Sequence, residues 1–367
     1  MEVEIPRDKE FRMDISETQK VRIMVTAGLA EICGQELLNE KWYNFTNIKF
    51  SIFSFTGAKL KVEGACDLQY LGTSTCFRKI FNFFDLVKDT QKVVLVLGKG
   101  RTTFCTTMCN YFIKLHRKVD FIELDPSKGN IFPGTLSLIQ IESLIDYNDR
   151  IKLNNPFCLF HGSTVIENNE LFDMQVDRLS NEVEIRNSGN LKLILAPDLS
   201  NDEINTLIKK FKVTEAVVIG DERAFHKLNL LVPKVFIENT GYVYENTVSR
   251  SINRYFNGPN GEYTPASFLV KFDWLVFRIG EQYTAPESAL PLGASRRLGR
   301  TDVTKSELVQ NSVLAISEAM TEDQIITSQV AGFIVCLDDK KFRILCTQPK
   351  LPKLKFLLQG SLQYLEF

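Results

Sequence analysis

The hydrophobic and polar positions change period twice along the chain. Up to about residue 78, the runs "FRMDIS", "KVRIMVTAG", "AEICGQEL", "IKFSIFSF" and "AKLKVEG" alternate apolar with polar residues or are rich in β-formers, and glycines and polar turns separate them. A period of two predicts strands with one solvated face, and a set of such strands predicts a small β-sandwich. The spacing then turns helical in "RKIFNFFDLVKDTQ". Beyond it, apolar strands alternate with helices: "KVVLVLG", "TTFCTTMCNYFIKLHR", "VDFIELD", "LKLILAP", "NDEINTLIKKF" and "EAVVIGD". Strands separated by helices predict a parallel sheet covered by helices on both faces. After the glycines and prolines of "GPNGEYTPASF", strand-like runs return in "ASFLVKFDWLVFRIG", "QVAGFIVCLD", "KFRILCTQ" and "KFLLQGSLQYLEF". The expectation is an α/β chain in three parts: an N-terminal β-sandwich over residues 1–78, a central parallel-sheet domain over 79–257 and a C-terminal all-β domain over 258–367.

The junction "VVLVLGKGRTTFCTTMCNYF" carries the first candidate chemistry. Glycines between a buried strand and a helix N-terminus let backbone N–H groups converge on a phosphate. The spacing departs from the usual loop, which needs a glycine, four residues, then Gly-Lys-Ser/Thr. Counting back from Gly100 places Leu95 where the first glycine belongs, and Arg101 stands in the lysine's place. Thr102 supplies a hydroxyl of the kind that faces magnesium. On these residues alone, a contracted nucleotide loop and an ordinary strand-to-helix turn both stay open.

Composition narrows the class. The chain has 367 residues, 44% of them hydrophobic and 24% charged, as expected of a globular protein with sizeable cores. A formal net charge of −1 argues against a protein whose main task is to coat nucleic acid. No secretory signal and no run long enough to span a bilayer is present, so the expectation is a cytosolic or nuclear protein without a membrane role. Eight cysteines lack paired ligand spacing and read as reduced, mostly buried thiols. Cys105 and Cys109 share a helical face, which suits packing better than half a metal site. The three histidines, His116, His161 and His226, have no surroundings that favour a nucleophilic triad.

The segments "AGLAEICGQEL", "FIELDPSKGNIFPGT", "HGSTVIENN", "VVIGDER", "ALPLGAS", "VAGFIVCLDDKKFRILCTQPKLPK" and "LQYLEF", in order over nearly the whole chain, resemble the Clp/Grc polynucleotide 5′-hydroxyl kinase family. Within it they are most similar to the Clp-type subunits of the mRNA cleavage and polyadenylation factor. The resemblance implies a β domain, a P-loop kinase-like domain and a second β domain. It implies ATP and Mg²⁺ as cofactors, held by a loop at Gly98, Lys99, Gly100, Arg101, Thr102 and Thr103. It places Asp125, at the end of "FIELD", beside the Thr102 hydroxyl as the magnesium pair, with a helix- or loop-capping aspartate as the lesser reading. Adenosine contacts fall by position on Glu10 and Lys49, each of which is as well explained as a solvated surface charge. The implied partners are a Pcf-type cleavage factor subunit and other 3′-end processing proteins, with weak or indirect RNA contact left open, and the implied place is the nucleus.

Several departures from the family pattern weaken catalysis together. Phosphoryl transfer rests on positioned positive charge. Arg101 keeps a charge, but its planar fork cannot sit where a lysine ammonium sits. The loop is contracted. The phosphate-gripping Thr-x-Gly-Trp clasp should lie near "LKLILAPDLS", which has neither glycine nor tryptophan, and only Arg250 and Arg254 remain as lid candidates. Losing one ground-state contact to a charged group weakens binding by about 1.5–3 kcal/mol, whereas one lost transition-state donor slows turnover about 10²–10³-fold. The expectation is therefore a noncatalytic ATP-binding scaffold of pre-mRNA 3′-end processing, with no catalytic residue assigned. The alternative is an active RNA 5′-hydroxyl kinase in mRNA or tRNA processing. The locally basic "GASRRLGR" reads as a solvated loop or an RNA contact.

Overall fold

A computed structural model describes residues 1–128, 132–147, 151–167, 169–239, 247–258, 261–270, 274–279, 303–340 and 343–365. The segments "ALPLGAS" and "GASRRLGR" lie outside the described residues. The chain divides into two compact units: the first comprises Met1–Ile122, Ile139–Asn154 and Ser188–Glu245, the second Glu123–Leu138, Asn155–Asn187 and Asn246–Phe367. Residues 1–78 fall wholly in the first unit and 258–367 wholly in the second, while 79–257 are shared between them.

The N-terminal strands are β1 (Glu2–Ile5), β2 (Lys9–Ile15), β3 (Val21–Gly28), β4 (Ala30–Ile32), β5 (Gln35–Leu37), β6 (Trp42–Phe45), β7 (Ile48–Ser54), β8 (Ala58–Gly64) and β9 (Leu68–Leu71). They form the expected sandwich, with one sheet ordered β1-β8-β3-β6 and the other β5-β4-β7-β2-β9. Period-two patterning explains the pairing of faces. In β3 and β8, Val21, Ile23, Val25, Leu60 and Val62 are buried, and they join Phe11, Met13, Ile15, Phe50 and Ile52 from the opposite sheet in one core. "AEICGQEL" is a hairpin rather than a single strand. Cys33 and Gly34, at φ 45° and 80°, make its two-residue turn, whose left-handed backbone matches strand twist.

Next in the chain come α1 (Phe77–Val87), β10 (Val93–Gly98), α2 (Arg101–Lys114), β11 (Val119–Glu123), β12 (Thr135–Ile141), β13 (Phe157–Phe160), α3 (Asn169–Arg186), β14 (Leu191–Leu195), α4 (Asn201–Lys210), β15 (Glu215–Ile219), α5 (Glu222–Lys227) and β16 (Lys234–Ile237). α1 stops four residues short of the helical spacing in the sequence, because Thr90 turns back and both its N–H and its hydroxyl donate to the Val87 carbonyl. In the first unit, β10 pairs in parallel with β14 on one side and β15 on the other, and β15 pairs in parallel with β16. A strand flanked on both sides and covered by helices must be apolar throughout, which is what "VVLVL" provides. In the second unit, β12 and β13 pair antiparallel from Thr135 opposite Phe160 to Leu138 opposite Phe157.

The remaining elements are α6 (Val248–Asn257), β17 (Ala266–Leu269), β18 (Leu275–Arg278), β19 (Thr304–Lys305), β20 (Ser312–Ser317), β21 (Val330–Asp338), β22 (Arg343–Cys346) and β23 (Phe356–Gln363). Their sheet has the order β17-β22-β21-β20-β23-β18-β19. One of its faces joins Phe132, Phe160, Leu171, Ile252 and Phe256 in the core of the second unit.

Candidate nucleotide site

The loop after β10 owes its shape to two glycines. Gly98 has φ 90°, and a Cβ there would lie 2.2 Å from the Ile219 carbonyl oxygen at the end of β15. Lys99 donates its N–H to that same oxygen at 3.1 Å. Gly100, at φ 102°, is the N-cap of α2 and offers no side chain to the first turn of the helix. The Phe104 N–H donates to the Gly100 carbonyl at 3.1 Å, which starts the helical ladder. The backbone thus keeps the strand, glycine turn and helix of a phosphate loop in contracted form.

Arg101 uses its charge elsewhere. It is the first residue of α2 and is 6% exposed. Its Nη1 donates to the carbonyl of Ala196, just past β14, and lies 3.5 Å from Asp198 Oδ1. Asp198 is almost wholly exposed, so solvent screens that ion pair and the buried carbonyl bond is the stronger anchor. Ala196 to Asp198 occupy the stretch where the resemblance requires a phosphate clasp. That stretch binds the loop's own arginine. Thr102 and Thr103 are half-buried, and the Thr103 carbonyl accepts the Thr107 hydroxyl at 2.7 Å. Beside Gly100 and Thr103 lies a cavity of about 10 Å³, lined mainly by Ser51, Phe77, Ile80, Phe104, Ile219 and Asn239. That is the room one water needs.

Glu10 is fully buried in β2 rather than solvated. Its Oε1 accepts from Arg12 Nε at 2.8 Å and its Oε2 from the Thr75 hydroxyl at 3.3 Å. Burial pushes its carboxyl above the usual glutamate range, against the opposing pull of Arg12. Lys49 is exposed and ion-paired with Asp14 at 3.2 Å. In the β2–β7 ladder Asp14 faces Lys49 while Glu10 faces Phe53. Lys49 therefore sits four residues along the sheet from Glu10, about 13–14 Å away. Asp125 belongs to the second unit and is buried; its Oδ1 accepts the Ser127 N–H at 3.0 Å and the Ser127 hydroxyl at 2.6 Å, a capping turn. Arg250 and Arg254 lie on α6, also in the second unit.

The structure gathers Gly98, Lys99, Gly100, Arg101, Thr102 and Thr103 into one turn. It does not bring Lys49 to Glu10, and both carry other bonds. As arranged, Arg101 Nη1 is held by the Ala196 carbonyl and the Glu10 carboxylate by Arg12 and Thr75, so these two groups do not fit a magnesium triphosphate held in the way the resemblance implies. No cysteine is in a disulfide, and Cys105 and Cys109 are fully buried packing residues of α2. Burial holds the Cys109 thiol well above its ordinary range. His161 is buried in the second unit with Nδ1 at 2.9 Å from Gln175 Oε1. Because Gln175 Nε2 donates to the Phe160 carbonyl, the histidine must be the donor to Oε1, and burial keeps it neutral by lowering its pKa.

Sequence reasoning missed the tail of α2. Asn110 and Tyr111 are both buried and polar, and they reach the β4–β5 hairpin. The available signal was two hydrogen-bonding residues in a helix stretch otherwise packed with Phe, Met and Cys, since buried polar groups imply partners.

Residues 4–92 match the model of the N-terminal beta-sandwich domain of polyadenylation factor. Residues 98–256 match the P-loop domain of mRNA cleavage and polyadenylation factor CLP1, and residues 263–366 the pre-mRNA cleavage complex II protein Clp1. Curated relatives include the polyribonucleotide 5′-hydroxyl-kinase Clp1 of Bos taurus and of Homo sapiens, each 28% identical over 414 residues, covering 99% of this chain and 96% of the relative. Among solved structures, wild-type Clp1p in complex with a segment of Pcf11p superposes with a TM-score of 0.83 at 20% identity, covering 100% of this chain and 98% of the other. A second Clp1p structure gives 0.81 at 19% identity, covering 100% and 99%; its title describes an extended interface with Pcf11p and ATP loss in a glycine-to-arginine point mutant. Identities this low establish the shared fold alone.

Proposed function

Because the chain belongs to the Clp1 family of mRNA cleavage and polyadenylation factors, we propose that it is a noncatalytic scaffold subunit of the nuclear pre-mRNA 3′-end cleavage and polyadenylation complex, and that it docks a Pcf11-type subunit. The observation that carries the reading is Arg101, whose guanidinium is turned into the Ala196 carbonyl instead of outward from the loop. A kinase needs that cation on the transferring phosphate. Withdrawing one such donor slows turnover by about 10²–10³, and the missing clasp compounds the loss. Scaffolding asks only that the fold and its surfaces persist, and the superposition over the whole chain supports this.

The solved relatives support the partner. Both are titled as Clp1p with Pcf11p, one of them also for ATP loss in a point mutant. A trapped nucleotide is not needed for this role, and no step of it runs through ATP or magnesium. The names of the curated relatives keep RNA 5′-hydroxyl phosphorylation as the second reading. A transfer assay with radiolabelled ATP and 5′-hydroxyl RNA separates the two, with no transfer above background expected. Affinity purification from cell extract tests the scaffold directly. Recovery of a Pcf11-type subunit is expected, and recovery without any 3′-processing protein contradicts the assignment.

A further inference from the structure

The two ends of α2 are engaged by different neighbours, and the chain itself makes both engagements. At the head, Arg101 holds the Ala196 carbonyl and faces Asp198. About 9 Å along the helix, the β4–β5 turn comes down on α2 so closely that a Cβ on Gly34 would lie 3.0 Å from the Thr107 carbonyl oxygen. Buried Asn110 donates to the carbonyls of Cys33 at 2.9 Å and Ile145 at 3.1 Å, and its Oδ1 accepts the Ile145 N–H at 2.8 Å. The Tyr111 hydroxyl donates to Glu31, and Lys114 Nζ lies 3.8 Å from Glu31 and 3.0 Å from Glu36. Aromatic rings close the joint: Phe81 and Phe84 of α1 pack against Tyr111 at 5.6 and 5.2 Å, and Phe81 also meets Phe55 of the sandwich at 4.9 Å.

We infer that α2 is the tie that fixes the sandwich to the parallel sheet, with Arg101 as its anchor at one end and Asn110, Tyr111 and Lys114 as its anchors at the other. A bound ligand that bridges two parts stabilises them by an amount that grows with ligand concentration. A tie built from the chain contributes the same stability whether or not nucleotide is present. The joint is chemically committed, because a buried carboxylate and a buried amide leave few substitutes for their partners. Burial raises the Glu31 carboxyl above its usual range, which the Tyr111 hydroxyl and Lys114 partly offset. This inference rests on the scaffold reading in taking the loop to work without nucleotide.

Hydrogen exchange by mass spectrometry on the full chain tests it, with and without ATP and magnesium. In the wild type, exchange over residues 30–37 and 196–200 should be the same in both conditions. Tyr111→Phe keeps the ring and its packing, so the fold is retained, and exchange over residues 30–37 should rise about tenfold. Asn110→Ala should raise it as well. Arg101→Met should raise exchange over 196–200 and leave 30–37 at the wild-type rate. Slower exchange over 30–37 when ATP and magnesium are added to the wild type overturns the inference, as does an unchanged rate there in both Tyr111→Phe and Asn110→Ala. An unchanged rate over 196–200 in Arg101→Met overturns the anchor at the head. RNA phosphorylation by the wild type would instead defeat the scaffold reading, and it leaves the exchange result for Tyr111 standing.

Discussion

Three helices of the first unit follow strands that lie side by side, yet they begin in different ways. α4 starts at Ser200, whose hydroxyl accepts the Glu203 N–H while the Glu203 carboxylate accepts the Ser200 N–H, a complete capping box. α5 starts at Asp221, whose carboxylate accepts the Ala224 N–H at 2.8 Å. α2 starts at Gly100 with no side-chain cap. The first two starts are made for stability, since each satisfies an orphan donor of the first turn. The third keeps the open backbone of an anion-binding turn, and the residue that follows sends its charge away to Ala196. The difference separates two things that one motif usually joins: a phosphate loop's backbone has been kept, and its side-chain chemistry has been reassigned.

The sharpest way to break this comparison is at Gly98. Adding a methyl there at φ 90° brings Cβ to 2.2 Å from a backbone oxygen, so Gly98→Ala should destabilise the first unit by about 3 kcal/mol or more, read by denaturant unfolding. At Gly100 the nearest atom to a new Cβ is a side-chain methyl at 3.4 Å, so Gly100→Ala should lose only about 1–2 kcal/mol from the left-handed backbone. Equal losses at the two positions would show that the turn is not gripped by β15. Arg101→Met comes next. It leaves the Ala196 carbonyl without its donor and should destabilise by about 1–3 kcal/mol. A loop arginine serving only a ligand would show no loss in ligand-free protein. The caps should matter less: Ser200→Ala and Asp221→Ala are each expected to lower stability by about 1 kcal/mol.

The smallest effect is a pH dependence at the far end of α2. Glu31 is held above its ordinary range by burial, so the folded state binds its proton more tightly than the unfolded state. Its contribution to stability is then fully present below the unfolded value and is lost as pH rises through the raised folded value. Thermal unfolding of the wild type against Glu31→Gln should therefore favour the wild type increasingly as pH falls from about 8 towards about 5. A difference that stays constant with pH would show that the carboxyl is not perturbed by the joint.

The parts legible in the sequence are those set by local periodicity. The sandwich strands, the "VVLVL" strand and the helix after it follow from alternation, apolar runs and glycines at a turn. The contraction of the loop and the substitution at Arg101 were equally plain. What the loop arginine binds was not, because Ala196 is 95 residues away and its carbonyl carries no sequence signature. Glu10 illustrates the same limit. A charged residue next to an apolar strand reads as solvated, and only the fold sets Arg12 and Thr75 around it. Lys49 was placed with Glu10 by resemblance, but strand register puts it opposite Asp14 instead. β13 and α6 were missed because their partners in the second-unit core come from distant segments.

The central claim is that the chain's own residues, and not a nucleotide, occupy the chemistry of the β10–α2 turn. Its most direct test is the nucleotide content of the purified full-length chain, released by denaturation and identified by chromatography. The account predicts no stoichiometric adenine nucleotide. One ATP or ADP released per chain would contradict it.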